Sequence, residues 1–139
     1  MISTTEKQDM LFYQNLGQLF YAIAASDKIV RKAEFDALKK LVINFWKDFD
    51  DVKDDYQEPV AYQMEIVFEL FDYEQIDAKD SFNNFKDYAT EHPKAFTKEK
   101  KLLIKKTAEA IANSFAGKNK SELIMLAQLE LFFNKLNVK

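Results

Sequence analysis

Apolar residues recur every three or four positions along most of the chain, the spacing that keeps them on one face of a helix. Six helical segments follow from this. The first carries Phe12, Leu16, Leu19, Phe20 and Ile23. The second runs from about Arg31 to Phe49, with a stripe of Phe35, Leu38, Val42, Phe45 and Phe49. The acidic stretch from Asp48 to Glu58 breaks the pattern, and Pro59 then suits the first turn of a third helix carrying Val60, Met64, Val67, Phe68 and Phe71. Asp77 is placed to cap a fourth helix with Phe82, Phe85 and Tyr88 inward, and His92-Pro93 should end it. Thr97 should cap the fifth, with Leu103, Ile104, Thr107, Ile111 and Phe115 inside, Lys98, Lys101, Lys105 and Glu109 outside, and Gly117 as its stop. Asn119 and Glu122 form a capping pair for the sixth. That helix is apolar nearly all round, from Leu123 to Leu136, so it should lie in the centre of the core or against a partner. Trp46 and Tyr13 fall near the edges of their stripes, where an interface would suit them.

The reading is therefore all-α: one domain over residues 1–139, a compact antiparallel bundle of six to seven helices in two pseudo-repeated halves. With two Gly and two Pro, the chain lacks the turn residues that β-sandwiches and barrels use. A shift of 88 residues relates the ends: Ala22, Ile23 and Ala24 fall on Ala110, Ile111 and Ala112, and Ser26 on Ser114. Lys32 falls on Lys120, Glu34 on Glu122, and Leu38 and Leu41 on Leu126 and Leu129. Half-repeats of roughly 9–50 and 97–139 would then be joined by the helices of 58–92. Two amphipathic helix pairs drawing on Leu, Ala and Lys also match by coincidence of packing, so duplication and coincidence both stand at this point.

Composition narrows the function. A 139-residue chain with 47% hydrophobic residues and 13 Phe builds its own core without a metal or a disulfide. A net charge of −3 offers no general attraction to nucleic acid or anionic lipid. The lack of Cys excludes disulfides, thiolate metal sites and a Cys nucleophile. No apolar run approaches the roughly 20 residues of a membrane span, and the polar start lacks the order of a signal peptide. The expectation is a cytoplasmic protein without direct membrane insertion and without a nucleic-acid partner.

The segment Leu16 to Leu41 resembles the tellurite-resistance TerB-like family through Ala22, Ala24, Ala25, Asp27, Val30, Glu34, Leu38 and Leu41. The family's usual pattern has Gly where this chain has Lys28 and Ser where it has Arg31; the second copy keeps Glu122 but has Phe115 in place of the Asp. The resemblance implies a bundle of antiparallel helices in two related halves, a link to stress-response assemblies, and divalent-cation binding by acidic residues.

Asp27 and Glu34 are accordingly the candidate metal ligands. A calcium ion takes about six to eight oxygens. In an EF-hand register the first and third ligands would be Ile23 and Ala25, which cannot ligate, and Lys28, Arg31 and Lys32 add positive charge. The structural alternative makes Asp27 a helix cap and Glu34 a first-turn residue in the helix dipole. The acidic stretch from Asp48 reads as a solvated loop. The Lys98, Lys101 and Lys105 stripe reads as a solvated face, with phosphate contact the alternative. His92, the single His, lacks partners for a metal or a triad. No catalytic constellation emerges. The expected role is a non-enzymatic interaction or assembly module, self-associating or binding a protein partner, with no cofactor; the alternative is a divalent-cation sensor.

Overall fold

A computed structural model describes residues 4–49, 53, 58–115 and 119–136. The chain is all-α, and among the described residues there is no strand, only an isolated bridge between Lys53 and Pro59. We label the helices α1 (Thr4–Ala24), α2 (Lys32–Leu41), α3 (Gln63–Glu74), α4 (Ala78–Glu91), α5 (Lys98–Asn113) and α6 (Lys120–Leu136). A π-helical turn, Val42–Trp46, and a last turn, Lys47–Phe49, prolong α2. Among the described residues no helix is long and apolar enough to cross a membrane.

The centre of the bundle is α1. It buries Phe12, Leu16, Leu19, Phe20 and Ile23 as its spacing predicts, but also Tyr13, Tyr21, Ala22 and Ala24, and so is enclosed from several sides. Its main neighbours are α3 and α4, with α5 next and α6 and α2 in lesser contact. Each large apolar side chain enclosed this way stabilises the fold by about 1.5–3 kcal/mol. Close approach of α1 and α3 depends on Gly17, where a Cβ would stand 2.8 Å from the Met64 carbonyl oxygen and 2.9 Å from the Val67 Cβ. Polar links tie the packed helices. The Tyr21 hydroxyl donates to the Ile76 carbonyl at 2.6 Å, and the Ser81 hydroxyl of α4 donates to the Gln18 carbonyl at 2.8 Å.

The helix starts follow the capping chemistry. The Asp77 carboxylate accepts the Asp80 N–H at 3.1 Å, and the Thr97 hydroxyl oxygen accepts the Lys100 N–H at 3.2 Å. His92 ends α4 ahead of a 3-10 turn at Pro93–Ala95. Gly117, expected as the stop of α5, and most of the acidic stretch lie outside the described residues.

Four expectations about facing are corrected. The π-turn places an extra residue in the coil, which rotates the inward position from Phe45 to Trp46. Trp46 and Tyr13 are consequently core residues in edge-to-face contact at 5.9 Å, and the indole N–H donates to the Thr107 hydroxyl at 2.9 Å; Phe45 and Phe49 are exposed. Phe115 also faces outward, beneath the Arg31 guanidinium at 4.8 Å from its ring centre. Lys101 does not belong to a solvated stripe. It is 6% exposed, its Nζ has no hydrogen-bond partner, and it lies 5.9 Å from the centre of the Phe133 ring. Finally, the central helix is α1 and not α6, which sits on α5 and α1 by one face.

Candidate functional site: a buried carboxyl pair

The strongest concentration of unusual chemistry lies where the start of α2 meets the start of α6. The N–H of Arg31 donates to Glu34 Oε1 at 2.7 Å, so the glutamate in the first turn of α2 satisfies one of the donors that every helix start leaves open. The start of α6 repeats the device in full. The Asn119 N–H donates to Glu122 Oε1 at 3.0 Å, and the Glu122 N–H donates to Asn119 Oδ1 at 2.8 Å. Packing of α2 on α5, and of α6 on α5, then encloses both glutamates. Glu34 and Glu122 are each 1% exposed, and the Glu122 carboxyl lies within reach of Glu34.

Two groups buttress the pair. Asp27 sits in the turn after α1, not at the N-cap of α2, which Arg31 occupies. One Asp27 oxygen accepts the Ile29 N–H at 3.1 Å. The other accepts from the Asn119 amide at 2.8 Å and pairs with the Arg31 guanidinium at 3.1 Å. The same guanidinium nitrogen stands 3.8 Å from Glu34 Oε2. Asp27 and Arg31 thus span the turn after α1, the start of α2 and the start of α6. Lys28 follows Asp27 with φ 72°, a left-handed conformation that favours glycine.

Burial pushes the Glu34 carboxyl up to about 8. The hydrogen bond and negative charge of Glu122 act in the same direction, while the Arg31 N–H and guanidinium offset them only in part.

The structure therefore brings Asp27 and Glu34 together through Arg31, whose charge lies between their oxygens. It adds Glu122 and Asn119, which sequence reasoning recorded only as a matched position and a cap. Among the described residues, no three His, Cys, Asp or Glu side chains converge in a way that could hold a metal ion. The other residues weighed from the sequence stand apart. His92 stacks on Tyr88 at 4.4 Å, and its Nδ1–H donates to the Tyr88 carbonyl at 3.0 Å. Lys105 pairs with Glu130 at 3.1 Å. A groove of about 670 Å³ between the turn after α1 and the turn after α3 includes Lys28 and Gln75, both with positive φ, but neither glutamate of the pair.

Set against known proteins, the chain matches no family model, no curated protein and no solved structure.

Proposed function

We propose that the chain is a non-enzymatic interaction and assembly module of the TerB-like type, and that it docks on a second copy of itself through the outer face of α6. The observation that carries this reading is the two-sided apolar character of α6. Met125, Leu129 and Phe133 point into the bundle, while Leu123, Ile124, Ala127 and Leu131 face solvent, Leu131 at 61% exposure. A helix in an outer position has no need of a second apolar face for the fold of its own chain.

The pattern on that face favours a copy of the same chain. Ala127 stands midway between Leu123 and Leu131. Two such helices laid antiparallel approach closely at Ala127, and Leu123 of each meets Leu131 of the other, as a two-fold interface requires. Lys120 then meets Asn134 and no like charge. The TerB-like part of the reading draws support from Lys28. Its φ of 72° puts glycine geometry where the resembling family carries Gly.

Sedimentation velocity across the micromolar range tests the proposal, with Leu131→Glu and Leu70→Glu as variants. Leu70 belongs to another exposed apolar stretch, Ile66, Leu70 and Tyr73 on α3. The expected result is a dimer that Leu131→Glu dissociates and Leu70→Glu leaves intact. A wild-type chain that stays monomeric throughout refutes the proposal, as does a dimer lost only with Leu70→Glu.

A further inference from the structure

We infer that Glu34 and Glu122 share one buried proton, and that this proton is a pH-sensitive latch joining the start of α2 to the start of α6. The inference stands on the geometry of the carboxyl pair and not on the docking face of α6.

An ionised carboxylate only accepts hydrogen bonds, so two carboxyl groups buried within reach of one another, where two helix starts meet, call for a proton between them. At 1% exposure each, the pair has scarcely any water to take that place. Nor do the neighbouring donors fill it. The Arg31 and Asn119 N–H groups are directed at the Oε1 atoms of Glu34 and Glu122. The charges acting on Glu34 among the described residues are Glu122, brought by α6, and Arg31, at its own cap. Helix α5, which packs on α2, contributes none of them. The Arg31 guanidinium is drawn towards Asp27, at 3.1 Å against 3.8 Å to Glu34. Lys32 pairs with Asp36 at 2.9 Å, and Lys28 and Lys120 are exposed. Three carboxyl groups thus share a single nearby guanidinium, and one proton halves the unmet charge.

The sign of the effect follows from the direction of the shift. In the unfolded chain the glutamate loses its proton near the ordinary value of 4.5, whereas in the folded chain it keeps it up to about 8. Between those values the folded state holds more protons, so folding stability falls as pH rises, and the contribution is gone above the folded value. When the proton leaves, two carboxylates face each other out of water, and moving the start of α6 away from α2 relieves them.

The test uses the intact chain. The carboxyl carbons of wild-type Glu34 and Glu122 are followed by NMR from about pH 3 to pH 9, bracketing the ordinary glutamate range. Thermal melts of wild type and Glu34→Gln are compared from about pH 5.5 to pH 9, above the ordinary carboxylate range, so that groups common to both proteins cancel in the difference. Gln is a neutral isostere that accepts the Arg31 N–H and donates to Glu122. The expected result is one carboxyl step near 8 in the wild type, with a melting temperature that falls through that step relative to Glu34→Gln. At the alkaline end the variant should be the more stable protein. Two ordinary titrations near 4.5 overturn the inference, and so do parallel melting curves. If Glu34→Gln does not fold, the wild-type carboxyl titration alone decides.

Discussion

At the scale of single residues, backbone conformation and burial say more than residue type. Lys28 is a long cationic side chain in a left-handed position, held there by its N–H donating to the Ala25 carbonyl at 2.8 Å at the end of α1. A side chain in that conformation costs on the order of 1 kcal/mol that glycine avoids, partly offset by the greater freedom of glycine in the unfolded chain. Lys28→Gly should therefore stabilise the protein by roughly 0.5–1 kcal/mol, a rise of about 2–4 °C in melting temperature for a chain of this size. Calorimetry at neutral pH measures it; a fall in melting temperature would mean that the Lys28 side chain makes a stabilising contact of its own. The sequence marked this position through the residue the resembling family carries there. It did not mark Lys101. A lysine between Lys98 and Lys105 on a strongly charged helix reads as solvated, yet it is buried, and its amine stands over the Phe133 ring without a hydrogen-bond partner. Long cationic side chains bury their methylenes, and only the neighbouring helix reveals which of them do so.

At the scale of elements, periodicity located the helices because one face of each is buried, and the caps at Asp77, Thr97 and Asn119 placed three of their starts. Periodicity failed where the backbone left the α-helical period. The stripe through Phe45 and Phe49 assumes 3.6 residues per turn, and the π-turn at Val42–Trp46, which ends on the tryptophan, breaks that assumption. Nothing in the apolar spacing separates the two cases, because both Phe45 and Trp46 are large aromatics that suit a core. The contact between α1 and α3 was equally hidden, since a glycine within a helix usually reads as a weak point. Gly17 instead sets how closely the two helices pack. Gly17→Ala gains about 1 kcal/mol in helix propensity but drives a methyl group against a backbone carbonyl at 2.8 Å and a β-carbon at 2.9 Å, neither of them a flexible side-chain end. Overpacking of this kind costs about 1–3 kcal/mol, so a net loss of roughly 1–2 kcal/mol is expected in urea unfolding. A more stable variant would show that α1 and α3 slide apart at little cost.

At the scale of the whole molecule, the site came from topology. The sequence placed Glu34 and Glu122 at equivalent positions, each three residues after a helix start, but pattern alone does not make two helix starts meet. That meeting requires α2 and α6 to share α5 as a neighbour, a property of the folded chain. The same topology grades how firmly each helix is held. α1 is enclosed by several neighbours, whereas α6 rests chiefly on α5 and α1 through Met125, Leu129 and Phe133 and is fixed at its start by the carboxyl pair. Local opening draws on regions with the fewest buried contacts. Native-state hydrogen exchange at neutral pH should therefore show α6 amides opening at a lower free energy than those of α1, as a separate unit. Phe133→Ala, which removes about 3–5 kcal/mol of core packing, should lower the opening free energy of α6 by most of that amount. It should leave the difference between α1 and α3 unchanged, because neither of those helices depends on Phe133 to pack against the other. Equal opening free energies for α1 and α6 would make the bundle one cooperative unit, in which the carboxyl pair can weaken the fold only as a whole.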